Sequence, residues 1–405
     1  MNPDLHRLQP YPFEKLANLL GNTPVEHNLT PLNISIGEPK HATPAFVREA
    51  MIDALDGIAI YPTTRGERAL REAISGWICR RFGPDASAID PDRHVIPVNG
   101  TREALFSFAQ AVCDRTVQDG VILTPNPFYQ IYEGAAFMSG VTPIHVNATA
   151  QTGFRPRFQD LDPAILDRAQ LLYLCSPSNP TGAVHPLEEL QSLIELADRH
   201  DFVIASDECY SEIYYDGEPP AGLLQAAWAM GRTDFKRCVV FHSLSKRSNM
   251  PGARSGFVAG DAELLARYFQ LRTYTGCAQP PFIQHAAIAA WNDETHVADN
   301  RALYRAKLDE SEAILSPHLN VRRPEASFYL WLEVPGGGER FAQHLFGRYG
   351  VTVLPGGYLG RTGDNCLGGA GNPGDPYVRI ALVATPEQNR EAMQRIAQAA
   401  QTFTL

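Results

Sequence analysis

From His94 onward, short apolar runs alternate with longer amphipathic stretches. HVIPVNG is a short apolar run, and TREALFSFAQAV behind it has helical spacing. GVILTP precedes FYQIYEGAAFMSG. QLLYLCSP precedes PLEELQSLIELADRH, where Leu187, Leu190, Leu193, Ile194 and Ala197 fall on one helical face. DFVIASDE and RCVVFHSL are two further runs of the buried-strand kind. Continuous apolar runs separated by helices predict an α/β fold, a mostly parallel sheet covered by helices on both faces. This large domain spans 44–290 and opens on two helical stretches, TPAFVREAMIDAL and ERALREAISGWICRRFG. Residues 1–43 read as an arm joining a second unit. Near 290 the rhythm changes: a long polar helix (DETHVADNRALYRAKLDESEAIL) leads to SFYLWLEV, a helix, GVTVLP, YVRIALV and a last helix. This predicts a smaller α+β C-terminal domain over 291–405. Within it, GGYLGRTGDNCLGGAGNPGD (356–375) reads as a mobile surface loop.

Composition narrows the classes of function. The net charge of −10 offers no global attraction to nucleic acid or an anionic membrane. A small anionic substrate would therefore need locally placed cations. The seven cysteines are scattered, with no C-x-x-C pair. That argues against a disulfide framework or a zinc site, so no metal is expected, and it suits a reducing compartment. There is no signal-like leader and no long apolar span, which predicts a cytoplasmic location.

The predicted strand ends carry the candidate chemistry, since ligands of open α/β sheets bind beyond the C-terminal ends of the strands. The first end delivers Asn99, Gly100, Thr101 and Arg102, and the second Asn126 to Tyr129. The third delivers Ser176 to Pro180 with Asn179, the fourth Asp207 and Tyr210, and the fifth Ser243, Ser245 and Lys246, with Arg254 soon after. Singly, each has a plainer reading. Gly100-Thr101 is also what a turn and helix cap look like, and Asn179-Pro180 what a tight turn looks like. Most lysines are solvated. The functional case rests on the set and its order.

One cofactor fits that set, pyridoxal 5′-phosphate. Its aldehyde needs a lysine amine, its ring nitrogen a carboxylate, and its phosphate a helix N-terminus, hydroxyls and an arginine. Lys246, Asp207, and Ser243, Ser245 and Arg254 supply these in turn.

The stretches SIGEP, YPTTRGERALREAI, NGTREAL, PNPFYQIY, SPSNPTG, SDECYSEI, SLSKRSNMPGARSGF and YVRIAL resemble, in order, the class I/II aminotransferases of pyridoxal-phosphate fold type I. They span residues 35 to 381. The resemblance implies roles residue by residue. Lys246 would form the Schiff base and act as base and acid, with Asp207 on the ring nitrogen. Asn179 and Tyr210 would bind the ring's 3-oxygen, and Tyr129 would stack on the ring. Gly100, Thr101, Arg102, Ser243, Ser245 and Arg254 would cradle the phosphate. Tyr61 would reach a phosphate across a homodimer interface, so the active sites would be shared. Arg379, with Gly37 and Asn179, would hold the substrate's α-carboxylate. Relatives vary at Arg102, whose side chain need not touch the phosphate. Lys40 and Arg65 join Arg102 as candidate cations for a further substrate carboxylate.

QPYPFEKL, SIGEPKHATPAF, NPFYQIYEGAA and SDECYSEIYYDGEPP more closely resemble the N-succinyldiaminopimelate aminotransferases. That likeness implies a reversible ping-pong transfer from glutamate to N-succinyl-2-amino-6-oxopimelate, in lysine and diaminopimelate biosynthesis. The alternatives are an aminotransferase of another specificity, for free diaminopimelate or aromatic amino acids, and a pyridoxal-phosphate-dependent lyase. A cofactor-binding transcription regulator would need a DNA-binding module ahead of SIGEP, and the residues there are not basic.

Overall fold

The strands that carry the candidate residues lie side by side in one eight-stranded sheet of a computed structural model, which describes residues 1–85 and 87–404. The strand order is Cys366–Leu367, Thr142–Asn147, Val121–Asn126, Ala169–Cys175, Val203–Asp207, Cys238–Ser243, Gly256–Gly260, Val95–Val98. All neighbours pair in parallel except Gly256–Gly260, which is antiparallel to both of its partners. The side chains explain the burial on both faces. Leu172 and Leu174 enter one core layer and Leu171 and Tyr173 the opposite one. Helices cover each layer. Leu187–His200 buries Leu190, Leu193, Ile194 and Ala197 on its predicted face, with Leu187 half-buried. The architecture is the α/β fold that the alternation predicted.

Register places the chemistry. Cys175 lies opposite Asp207, Asp207 opposite Phe241, and Ser243 opposite Gly256. Because Gly256–Gly260 runs in reverse, it begins at the rim where its neighbours end. The chain therefore leaves Lys246, makes a short turn, and presents Arg254 on that same rim.

A second sheet, ordered Leu354–Pro355, Tyr377–Ala381, Tyr329–Glu333, is antiparallel and packs with helices Thr295–Leu315, Gly338–Tyr349 and Pro386–Thr402 around its own apolar cluster. The N-terminal arm joins this unit: Leu32–Asn33 pairs with Val351–Thr352, and Leu16 of helix Pro12–Gly21 sits with Trp331, Leu354 and Leu359. Among the described residues no helix is long and apolar enough to cross a membrane.

Three departures from the hydrophobic pattern have physical causes. Strand Thr142–Asn147 carries buried polar residues, and these are satisfied by their neighbour strand: Thr124 Oγ1 bonds His145 Nδ1 at 2.7 Å, and Asn126 Nδ2 donates to Asn147 Oδ1 at 2.7 Å. Strand Gly256–Gly260 is short and glycine-flanked, so it has no pattern of its own. The stretch 356–375, expected to be a mobile surface loop, is tied down instead. Leu359 O accepts from Phe128 N at 2.9 Å, and Arg361 forks onto the buried Glu133 at 2.9 and 2.7 Å. Cys366–Leu367 then adds the eighth strand.

Candidate active site

A cavity of about 580 Å³ opens where the rim of the large sheet faces the small sheet and the arm. Its walls include Thr101, Arg102, Tyr129, Asn179, Asp207, Tyr210, Ser243, Ser245, Lys246, Arg254, Arg379 and Gly37. Gly100 stands immediately behind Arg254. It precedes helix Thr101–Val112 with φ +90°, and a Cβ there would lie 2.2 Å from Arg254 Nη2. Glycine is thus required twice over, for its backbone angle and for the close approach of the guanidinium.

At the inner end, Asp207 is buried. Tyr132 Oη donates to its Oδ2 at 2.9 Å, and the Cys209 amide donates to Oδ1 at 3.3 Å. Burial pushes the Asp207 carboxyl above its ordinary value in spite of these donors. Among the described residues no arginine or lysine lies within ion-pair distance of it. Such a site favours a cationic partner, because an unpaired buried charge is costly.

Lys246 rises from the single turn Leu244–Arg247, which Ser243 caps by accepting from Ser245 N at 3.1 Å. Its Nζ donates to Gly37 O at 2.5 Å. Burial, aided by Arg379 and Arg254, brings this amine down to about 8, so about a tenth of it is unprotonated at neutrality. Gly37 is packed under Tyr329, whose hydroxyl would be 1.8 Å from a Cβ; that hydroxyl in turn bonds Tyr210 Oη at 3.1 Å.

Arg379 comes from the centre of the small sheet. Its Nη1 donates to Asn179 Oδ1 at 3.0 Å and its Nη2 to Ser35 O at 2.9 Å, with the guanidinium 4.4 Å over the Tyr329 ring. Arg102 stands at the arm, its Nε donating to Tyr129 Oη at 2.6 Å and its Nη2 to Tyr11 Oη at 3.1 Å.

Three predicted residues, Tyr61, Lys40 and Arg65, lie away from the cavity. Tyr61 is 99% exposed and borders a separate groove with Ile60 and Pro281. Lys40 is exposed and sits near Lys307, away from the cavity lining. Arg65 donates to Asp92 O at 2.8 Å and lies over Phe269. Conversely, the sequence reading missed Tyr132, Tyr329, Glu38 and the arm residues Tyr11, Pro12 and Phe13, all placed by tertiary structure. The available signal was that Tyr11, Pro12 and Phe13 fall in QPYPF, Glu38 in SIGEP and Tyr132 in PNPFYQIY, stretches already singled out.

The donor set fits pyridoxal phosphate. A buried carboxylate stands ready for a protonated ring nitrogen. A lysine amine of lowered pKa lies within the cavity. Serine hydroxyls, the Thr101 helix start and the glycine-backed Arg254 stand together, as an anionic phosphate requires. The described residues form no metal-binding cluster of acidic, histidine or cysteine side chains.

Residues 30–396 match the family described as aminotransferase class I and II. An aminotransferase structure from Neisseria meningitidis Z2491 is 43% identical, covers 99% of this chain and 100% of its own, and has a TM-score of 0.93. One from Helicobacter pylori 26695 is 38% identical, with coverage of 98% and 99% and a TM-score of 0.88. The LL-diaminopimelate aminotransferase of Aquifex aeolicus (strain VF5) is 32% identical over 395 residues, 96% of each chain. With its fold, its rim chemistry and these matches in agreement, the chain belongs to the class I and II aminotransferases, enzymes that use pyridoxal 5′-phosphate.

Proposed function

We propose that this aminotransferase exchanges the amino group of glutamate with a keto acid of the diaminopimelate skeleton. The observation that carries the reading is a count of charges. Arg102, Arg254 and Arg379 all line the cavity, and none has a carboxylate within ion-pair distance among the described residues. Three unpaired guanidiniums match one cofactor phosphate and two substrate carboxylates. Arg254 goes to the phosphate, Arg379 with Asn179 and the Gly37 backbone to the α-carboxylate, and Arg102 to the distal carboxylate.

Bound pyridoxal phosphate supplies an aldehyde to receive the amino group and a ring to accept electrons. The protein's part follows from its own residues. Lys246 would hold the aldehyde, and its amine, once freed, would take the substrate's α-proton on Nζ and give it back. Asp207, steadied by Tyr132, stays anionic against the ring nitrogen. Asn179 and Tyr210 serve the ring oxygen, Tyr129 the ring face, and Gly100, Thr101, Ser243 and Ser245 the phosphate.

The distal end separates two specificities. Free diaminopimelate ends in an ammonium and a carboxylate, and Glu38 and Arg102 are an anion and a cation on the cavity wall. The names of the curated relatives, LL-diaminopimelate aminotransferases at 29–32% identity, favour this free substrate over the succinylated one expected from sequence. The N-succinyl reading retains one supporting observation: Tyr11, Pro12 and Phe13, in the stretch that carries that resemblance, line the same cavity. A panel of amino donors and keto acids, with and without the succinyl group, decides. Preference for the free substrate, weakened by Glu38→Gln, supports the first reading. Strict dependence on the succinyl group overturns it.

The enzyme is further proposed to work as a homodimer in the cytoplasm. Ile58 is 77% and Ile60 67% exposed beside Tyr61, an apolar face that a second copy would cover. Sedimentation of the holoenzyme as a monomer would refute the dimer.

A further inference from the structure

Loop 36–43 touches Lys246 at both ends. At the side-chain end, Lys246 Nζ donates to Gly37 O. At the main-chain end, the Lys246 carbonyl accepts from Asn300 Nδ2 at 3.2 Å, and Asn300 Oδ1 receives His41 Nδ1 at 2.9 Å. Asn300 belongs to helix Thr295–Leu315 and is 3% exposed. Its remaining hydrogen bonds are to Asn249 Nδ2, at 3.0 Å, and to Arg247 O, at 3.5 Å. Thr43 closes the same loop by donating to Asn249 O at 2.6 Å. A path of chain and hydrogen bonds therefore leaves Lys246 at its amine and returns to it at its carbonyl.

The path demands one state of His41. Asn300 spends its amide hydrogens on the two carbonyls, so its Oδ1 must accept, and His41 must carry its proton on Nδ1. The other ring nitrogen, Nε2, lies 2.8 Å from Lys307 Nζ, and an ammonium can only donate there. His41 is therefore neutral and protonated on Nδ1, the tautomer that Asn300 requires and Lys307 accommodates. Lys307 is 3% exposed and has no carboxylate within ion-pair distance among the described residues, and the His41 ring packs 4.5 Å from that of Tyr304. A buried lysine kept for its charge alone would be costly without an anion. Among the described residues, the polar partner of its amine is the histidine.

We infer that His41 is a positioning residue for the transamination, pinning loop 36–43 to the Lys246 main chain through Asn300 and so fixing where the Lys246 amine stands. The inference rests on Lys246 being the cofactor lysine. His41 touches neither cavity nor substrate. It acts by holding the Gly37 carbonyl, and the amine with it, in register with the strand end that roots Lys246.

The test is carried out on holoenzyme variants, with kcat and the pH midpoint of the cofactor's visible absorption as readouts. His41→Phe removes both hydrogen bonds. It should lower kcat about 10- to 100-fold, as a small misplacement of a reacting group does, and should shift the midpoint. His41→Asn keeps a donor at the Nδ1 place without the Nε2 acceptor, and it should restore most of both. Lys307→Met removes the cation while leaving the link, and it should stay close to wild type. An unmoved midpoint and kcat in His41→Phe overturn the inference. So does a loss that His41→Asn fails to restore, or one that Lys307→Met reproduces in full with the midpoint unshifted. Lys246→Ala keeps the two claims apart. If it retains the visible band, the cofactor-lysine assignment itself has failed. If it loses the band while His41→Phe is silent, only the role of His41 falls.

Discussion

Arg379 reaches from the middle of the small sheet to Asn179 at the rim of the large one, Nη1 to Oδ1 at 3.0 Å. One hydrogen bond thus joins the two sheets across the cavity, between the two groups assigned to the α-carboxylate. Arg379→Ala should raise the Michaelis constants of both amino donor and keto acceptor by about 30-fold or more, the lower part of the 2–5 kcal/mol lost when a buried charge-paired group is truncated. The cofactor's visible absorption should persist. Steady-state kinetics with both substrates checks this, and unchanged constants would remove Arg379 from substrate binding.

The Lys246 amine, lowered by burial to about 8 from 10.5, makes a prediction for cofactor-free protein. Capture of pyridoxal phosphate should quicken about tenfold per pH unit below 8 and level off above it. The sign for stability follows. The folded pKa lies below the unfolded one, so between about 8 and 10.5 the unfolded chain binds more protons. The contribution of Lys246 to stability is therefore least below pH 8 and rises across that window. Urea midpoints of wild type minus Lys246→Met should climb from pH 8 to 10. A flat difference would mean an amine of ordinary basicity.

Tyr132→Phe leaves Asp207 with the Cys209 amide as its hydrogen-bond donor among the described residues. A hydrogen bond to a charged group is worth about 1.5–3 kcal/mol. Cofactor affinity should fall by roughly one to two orders of magnitude, measured by equilibrium dialysis, and the variant should regain turnover at saturating cofactor. Wild-type affinity would show that Tyr132 packs against Tyr173 without supporting the carboxylate.

Gly100→Ala places a Cβ on the Arg254 guanidinium and forces a non-glycine residue to φ +90°. Strain of about 1–3 kcal/mol is expected. It should appear as weaker cofactor binding with little change in the Michaelis constants once the enzyme is saturated. Tight cofactor binding in Gly100→Ala would place the phosphate elsewhere.

Much of this molecule is written in local pattern. Burial on both faces makes the central strands continuous apolar runs, and the polar groups that interrupt them at Asn99, Asn179, Asp207 and Ser243 mark the rim. Lys246 was legible for the same reason, at the end of an apolar run, and Arg254 because it follows eight residues on; the reversed strand that holds them together had no pattern to read. The illegible parts depend on distant partners. Strand Thr142–Asn147 looks polar because its histidine and asparagine are answered by Thr124 and Asn126 on the next strand. Tyr132 and Tyr329 are ordinary buried aromatics until the fold brings Asp207 and Gly37 to them. Tyr61 matches a family position and Lys40 is a candidate cation by its place after GEP, yet neither lines the cavity of the single chain, because sequence carries no information on which surface a side chain finally faces.

The edge strand Cys366–Leu367 gives the glycine-rich segment a use that its composition conceals. Strand Thr142–Asn147 would otherwise present unpaired backbone amides and carbonyls at the margin of a large parallel sheet, the kind of border along which separate molecules zip together. A variant trimmed of residues 362–372 could keep its catalytic groups and still precipitate. What resembles slack in the chain is a selvedge that stops the fabric from being sewn to its neighbour.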